Sequence, residues 1–220
     1  MKGYIFDFDG TIIDSMGMWL SIDRAVVEDR GLPFPDEEDY QKYIELVTPL
    51  NPEESAEYAI KFFGLNDTVE NVVKEWGDRG KDTYINELPL KPGAKEFLTH
   101  LRSTGAKMAI ATSAPTALCV PALKERGLYE LFDAICTSEE AGHGKSRPDV
   151  FLLAAKKLGI PPEDCIVYED SIIAMKTAKS VGMTVYAVYD DAAANKWEEI
   201  KQIADHSIYE YKEEIKNVHI

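Results

Sequence analysis

Short apolar runs that end on polar residues alternate with helical periodicities along most of the chain. Tyr4-Ile5-Phe6 is the first such run, brief, β-prone and nearly uninterrupted, as a strand buried on both faces should be. Met108 to Ala111, Ala134 to Cys136, Cys165 to Tyr168 and Val185 to Val188 repeat the pattern and predict further strands. Between them, Ala94, Phe97, Leu98 and Leu101 fall at i, i+3, i+4 and i+7, framed by Pro92-Gly93 and Gly105, which predicts a helix. Pro115 to Arg126 reads as a second helix ended by Gly127. Val150, Leu153, Ala154 and Leu158 mark a third, closed by Gly159, and Ala174, Met175, Ala178 and Val181 a fourth, closed by Gly182. The tail from Ala192 is helical at first and then loses any clear period.

Strands alternating with helices mean βαβ units and an α/β fold on a parallel sheet. Right-handed crossovers put every strand's carboxyl end on one side, the edge along which open α/β sheets bind ligands. The residues expected there are polar: Asp7 and Asp9, Thr112 and Ser113, Thr137 and Ser138, Glu169 and Asp170, Asp190 and Asp191. Asp190 and Asp191 are expected to be surface residues.

The first crossover departs from this rhythm. Met16, Trp19, Leu20, Val26 and Val27 share a helical face, with Asp14 or Ser15 as a cap and Gly31 as a stop. Residues 33–88 continue as helical segments separated by Pro33, Pro35, Pro49, Pro52 and Gly64, without alternating strand patterns. The expected organisation is a core of residues 1–13 and 89–220, with a helical cap domain of residues 14–88 inserted after the first strand.

The net charge of −15 over 220 residues argues against nucleic acid and anionic membrane surfaces as partners. Much of the excess lies between Asp14 and Glu87, where 18 acidic residues face 7 basic ones. No stretch approaches the ~20 apolar residues of a membrane span. Cys119, Cys136 and Cys165 are far apart, form no CxxC pair and suit a reducing compartment rather than a disulfide framework or zinc site. A soluble cytoplasmic protein is expected, a monomer or at most a weak dimer.

The chemistry concentrates at Asp7-Phe8-Asp9-Gly10-Thr11, where two carboxylates follow a buried strand. Such a pair is costly unless a divalent cation or a catalytic task offsets it. Gly10 suggests a turn that needs backbone freedom. Thr112 follows the second strand, Lys145 lies in His143-Gly144-Lys145-Ser146-Arg147-Pro148-Asp149, and Glu169-Asp170-Ser171 opens a helix. Singly, Thr112 reads as a turn hydroxyl, Lys145 as a solvated charge and Glu169-Asp170 as a helix cap. Together they match the needs of phosphoryl transfer: a nucleophile, cations for the non-bridging oxygens and a proton for the leaving oxygen.

This set resembles the four motifs of the haloacid dehalogenase superfamily, in the subgroup with a helical cap between the first two motifs, and the similarity covers nearly the whole chain. That subgroup includes sugar-phosphate phosphatases, phosphoglycolate phosphatases and β-phosphoglucomutase. The resemblance implies a Rossmann-like core with strand order 5-4-1-2-3. It implies that Asp7 forms an aspartyl-phosphate and that Asp9 protonates the leaving group and then activates water. It further implies that Thr112 binds the phosphoryl group, with Gly10 and Ser113 beside it, and that Lys145 offsets its charge. Mg²⁺ would be held by Asp7, the main-chain carbonyl of Asp9, Asp170 and Glu169.

Two departures from the family pattern bear on the substrate. Ala174 stands where a glycine is usual, a small packing change. Trp19 stands where β-phosphoglucomutase relatives carry a histidine, and either packs in the cap or contacts substrate. Those relatives also use a cap arginine to grip a second phosphate, whereas no basic residue lies between Tyr43 and Ile60 here. The expected activity is therefore Mg²⁺-dependent hydrolysis of a small phosphate ester, a sugar phosphate by family analogy, with a neutral or cationic leaving group. A phosphosugar mutase is the alternative. A non-enzymatic receiver-like phospho-acceptor is the rival from another class, opposed by Asp9 and the inserted helices. A dehalogenase is opposed by Asp9 as well.

Overall fold

The computed structural model describes residues 2–215. In chain order the elements are β1 (Gly3–Phe6), α1 (Met16–Glu28), α2 (Glu37–Val47), α3 (Pro52–Phe63), α4 (Val69–Asp82), a π-helical turn (Thr83–Glu87), α5 (Ala94–Ser103) and β2 (Lys107–Thr112). There follow α6 (Thr116–Glu125), β3 (Ala134–Thr137), α7 (Ser138–Ala141), α8 (Asp149–Leu158), β4 (Cys165–Glu169), α9 (Ile172–Ser180), β5 (Thr184–Val188), α10 (Trp197–Ile203), β6 (His206–Ile208) and α11 (Tyr211–Ile215). None of the described helices is long and apolar enough to cross a membrane.

The strands form one parallel sheet in the order β3-β2-β1-β4-β5-β6. Read from the other edge, the first five give 5-4-1-2-3, and β6 extends the sheet beyond β5. Three residues are too few to carry a period of two, and β6 forms because the sheet edge offers it a partner: Tyr186 pairs with His206 and Val188 with Ile208. Successive side chains of a strand point to opposite faces. Phe6, Met108, Ile110 and Tyr168 therefore pack with Phe97, Leu118 and Tyr211 on one side, and Ile5, Ala109 and Val167 pack with Phe151, Ala154 and Met175 on the other. Helices on both faces explain why these strands read as continuous apolar runs.

The helices between Met16 and Glu87 bury clusters of their own, Ile22, Val26, Val27, Ala56, Leu65 and Val72 in one, Tyr40, Tyr43 and Ala59 in another. Their boundaries follow local chemistry. Asn51 accepts from the Glu54 N–H at 2.9 Å while Glu54 accepts from the Asn51 N–H at 3.1 Å, Pro52 opens α3, and Gly64 ends it at φ 68°. The two chain crossings lie side by side, with Asp14 N–H donating to the Pro89 carbonyl at 3.0 Å and Lys91 N–H to the Ile12 carbonyl at 2.8 Å. Lys91 also pairs through Nζ with Asp190 at 2.6 Å, Asp190 buried and the Lys91 side chain 10% exposed. Asp190 is thus no surface residue, because it supplies the counter-charge for a lysine that the returning chain places against the end of β5. Asp191 is exposed as expected.

Candidate active site

Asp7 leaves the end of β1 with its N–H donating to the Tyr168 carbonyl at 2.9 Å, so the ladder to β4 continues to the site itself. β4 ends in Glu169, with Asp170 next. Strand order reverses direction between β1 and β4, and the crevice that opens at such a point explains why Asp7 and Glu169, 162 positions apart, converge there. Carboxylate oxygens of Asp7, Glu169 and Asp170, all buried, lie within 4.8 Å of one another.

Lys145, only 3% exposed, pairs with Asp7 and also with Glu169, the latter at 2.8 Å. Burial and the Glu169 charge push the Asp7 carboxyl above the usual range, with Lys145 pulling the other way. Burial, then Glu169 and Asp7, push the Asp170 carboxyl up as well. Burial disfavours the Lys145 ammonium, but the charges of Asp7 and Glu169 outweigh it and hold the lysine protonated. Three carboxylates with one lysine leave a net negative pocket, and its hard oxygen donors fit Mg²⁺ in charge and chemistry.

The neighbouring residues shape this cluster. Thr11 Oγ1 donates to Asp170 at 3.1 Å, and Glu169 Oε1 accepts from the N–H groups of Asp170 and Ser171 at 3.2 and 3.1 Å. Gly10 has φ +70°, and a Cβ there would stand 2.5 Å from Asp170 Oδ2, so space as well as backbone conformation requires glycine.

Asp9 faces different company. Its carboxylate lies outside the three-acid cluster and accepts from Ser15 Oγ at 2.6 Å, Trp19 Nε1 at 3.3 Å and Tyr84 Oη at 2.8 Å. Burial raises the Asp9 carboxyl, and the three donors temper the shift. Ser15 does occupy the first position before α1, but its hydroxyl serves Asp9 and makes no cap bond. Trp19 both packs on Tyr84 and lines the cavity. Tyr84 is the partner of Asp9 that the sequence hides, since it lies 75 positions away in a π-helical turn with no local motif.

Thr112 ends β2 fully buried, its Oγ1 accepting from the Ala114 N–H at 3.0 Å and its own hydrogen still available to an acceptor. Ser113 is at the cavity, with Oγ 3.4 Å from that of Ser138. The cavity, about 180 Å³, opens above Asp7, Asp9 and Lys145 and runs up between Trp19, Asp23, Tyr43, Val73 and Trp76. The α2–α3 loop closes one side, where Lys145 N–H donates to the Pro49 carbonyl.

The family model described as haloacid dehalogenase-like hydrolase matches residues 4–188. The phosphorylated carbohydrates phosphatase of Thermotoga maritima is 30% identical over 190 residues, covering 86% of this chain and 85% of that protein. The β-phosphoglucomutase of Bacillus subtilis is 29% identical over 195 residues, covering 86% and 83%. Among solved structures, CbbY from Rhodobacter sphaeroides in complex with xylulose-(1,5)bisphosphate superposes with a TM-score of 0.82 over 97% of this chain and 96% of that one, at 20% identity, a likeness of fold.

Proposed function

The chain belongs to the haloacid dehalogenase-like hydrolases, as a phosphomonoesterase, and from that premise we propose a Mg²⁺-dependent phosphatase that hydrolyses a small phosphorylated metabolite, of the sugar-phosphate kind, through an aspartyl-phosphate on Asp7. The observation that carries this reading is the division of labour at one strand end: Asp7 beside Lys145 and two further acids, Asp9 beside three hydrogen-bond donors.

In the first half-reaction an Asp7 carboxylate oxygen bonds to phosphorus as the bond to the ester oxygen breaks. Lys145, fixed by Glu169, offsets charge on the non-bridging oxygens, and the Thr112 hydroxyl donates to one of them. Asp9 gives its proton to the departing oxygen. In the second half-reaction Asp9 takes a proton from water as that water attacks phosphorus, which releases phosphate and restores the Asp7 carboxylate. Mg²⁺, held by Asp7, Glu169, Asp170 and the Asp9 carbonyl, would supply further positive charge against the phosphoryl oxygens.

The helices between Met16 and Glu87 act in this reading as a cap that encloses the substrate and excludes bulk water during transfer. A phosphatase is favoured over a mutase because no described Lys or Arg of those helices lines the cavity to hold a second phosphate. The test is turnover of p-nitrophenyl phosphate: it should need Mg²⁺, stop on chelation, and fall roughly a thousandfold or more in Asp7→Asn. Metal-independent turnover, or full activity in Asp7→Asn, would refute the mechanism.

A further inference from the structure

Asp23 is 7% exposed on α1, and it is the single charged residue that the helices between Met16 and Glu87 contribute to the cavity lining among the described residues. Tyr40 Oη donates to its Oδ2 at 3.0 Å. Tyr43 and Trp76 face the same carboxylate. No described lysine, arginine or histidine forms an ion pair with Asp23, unlike Asp7 and Asp190, which have lysines. Burial pushes its carboxyl up to about 7, with the surrounding tyrosine and indole groups partly opposing the shift. An enclosed acid without a counter-charge either keeps its proton or is met by a cation, and a cation that reaches it favours the ionised form.

The position of Asp23 sets the size of what could arrive. Asp23 follows Trp19 by four residues, so both project from one face of α1 a single turn apart, about 5–6 Å. Trp19 holds Asp9, the proposed acid for the leaving oxygen. A group on Asp23 therefore stands a few bonds beyond the ester oxygen, with the rings of Trp19, Tyr43 and Trp76 around it. Carboxylate and aromatic faces both attract an organic cation.

We propose that Asp23 and the aromatic wall of Trp19, Tyr43 and Trp76 select phosphate esters whose short leaving group carries a protonated amine or quaternary ammonium, such as amino-alcohol or amino-sugar phosphates. The proposal rests on the phosphatase reading for the phosphate end and adds the recognition of the other end.

The matched probes are choline phosphate and 3,3-dimethylbutyl phosphate, which have the same shape but differ in charge. Wild-type kcat/KM should favour the charged member at least about tenfold, and Asp23→Asn should lower the ratio severalfold, to the part that the aromatic faces alone supply. Binding of choline and of 3,3-dimethylbutan-1-ol, followed by quenching of tryptophan fluorescence, reads the same preference without catalysis and on the wild-type protein alone. Equal affinity for the two alcohols, or a charge preference undiminished in Asp23→Asn, overturns the proposal. Absence of p-nitrophenyl phosphate turnover alongside selective choline binding would instead count against the phosphatase reading while upholding the cation site.

Discussion

Asp7 and Asp9 are two residues apart on one strand end, yet their surroundings assign them different work. Asp7 meets a lysine and two acids; Asp9 meets a hydroxyl, an indole and a phenol. The phenol of Tyr84 is deeply buried, and burial together with the Asp9 charge keeps it protonated as a donor. A hydrogen bond to a charged group contributes roughly 1.5–3 kcal/mol, or about ten- to a hundredfold when it positions a reacting group. Tyr84→Phe should therefore slow hydrolysis of alkyl phosphates by about tenfold, since their poor leaving groups need the proton from Asp9. It should slow p-nitrophenyl phosphate much less, because that leaving group departs without help; equal losses on both esters would argue against a role through Asp9. At this scale the sequence was legible where function is contiguous. Asp7, Asp9 and Gly10 share one short stretch, and Thr112, Lys145 and Glu169-Asp170 sit at strand ends or in a marked loop. Ser15 could be read only as a helix cap, and Tyr84 could not be read at all, because only tertiary folding brings it to Asp9.

Elements were legible wherever glycine or proline punctuates them. Gly31, Gly64, Gly127, Gly159 and Gly182 all take positive φ at helix ends, as their positions in the periodic pattern suggested. β6 carries no such mark, and its existence depends on the β5 edge. One loop contact between elements matters more than any helix boundary. Gly144 packs against the α2–α3 loop so closely that a Cβ would lie 2.6 Å from the Pro49 carbonyl oxygen and 2.8 Å from the Asn51 nitrogen. Its φ is not among the positive ones, so alanine there is strained by the loop alone. Gly144→Ala should hold that loop off Lys145, lowering kcat/KM by about tenfold or more while leaving the unfolding midpoint of the sheet core nearly unchanged. Measured kinetics alongside thermal unfolding check both parts.

Across the whole molecule, the returning chain is fastened by the buried Lys91–Asp190 pair. Removing one partner of a buried pair costs about 3–5 kcal/mol because the other charge is left uncompensated. Asp190→Ala should lose roughly that much in urea unfolding, whereas the double change Lys91→Met with Asp190→Leu should recover most of it. The parallel sheet and the helical insertion followed from the alternation of periods, and the strand order from the family resemblance. The fastening did not, because a lysine and an aspartate 99 positions apart carry no sign of each other in sequence.

The paired crossings at Ile12–Asp14 and Pro89–Lys91 form a narrow hydrogen-bonded ribbon. On the proposed reading the inserted helices swing about that ribbon as one body. Ser15, Trp19 and Tyr84, the three donors on Asp9, all travel with them, as does the Pro49 loop over Lys145. Opening therefore strips the acid of its donors at the same moment that it admits water. The fold is an interlock: burial in the shut chamber is what raises the Asp9 carboxyl and favours its proton, so an unoccupied, open molecule has neither an enclosed substrate nor a protonated acid.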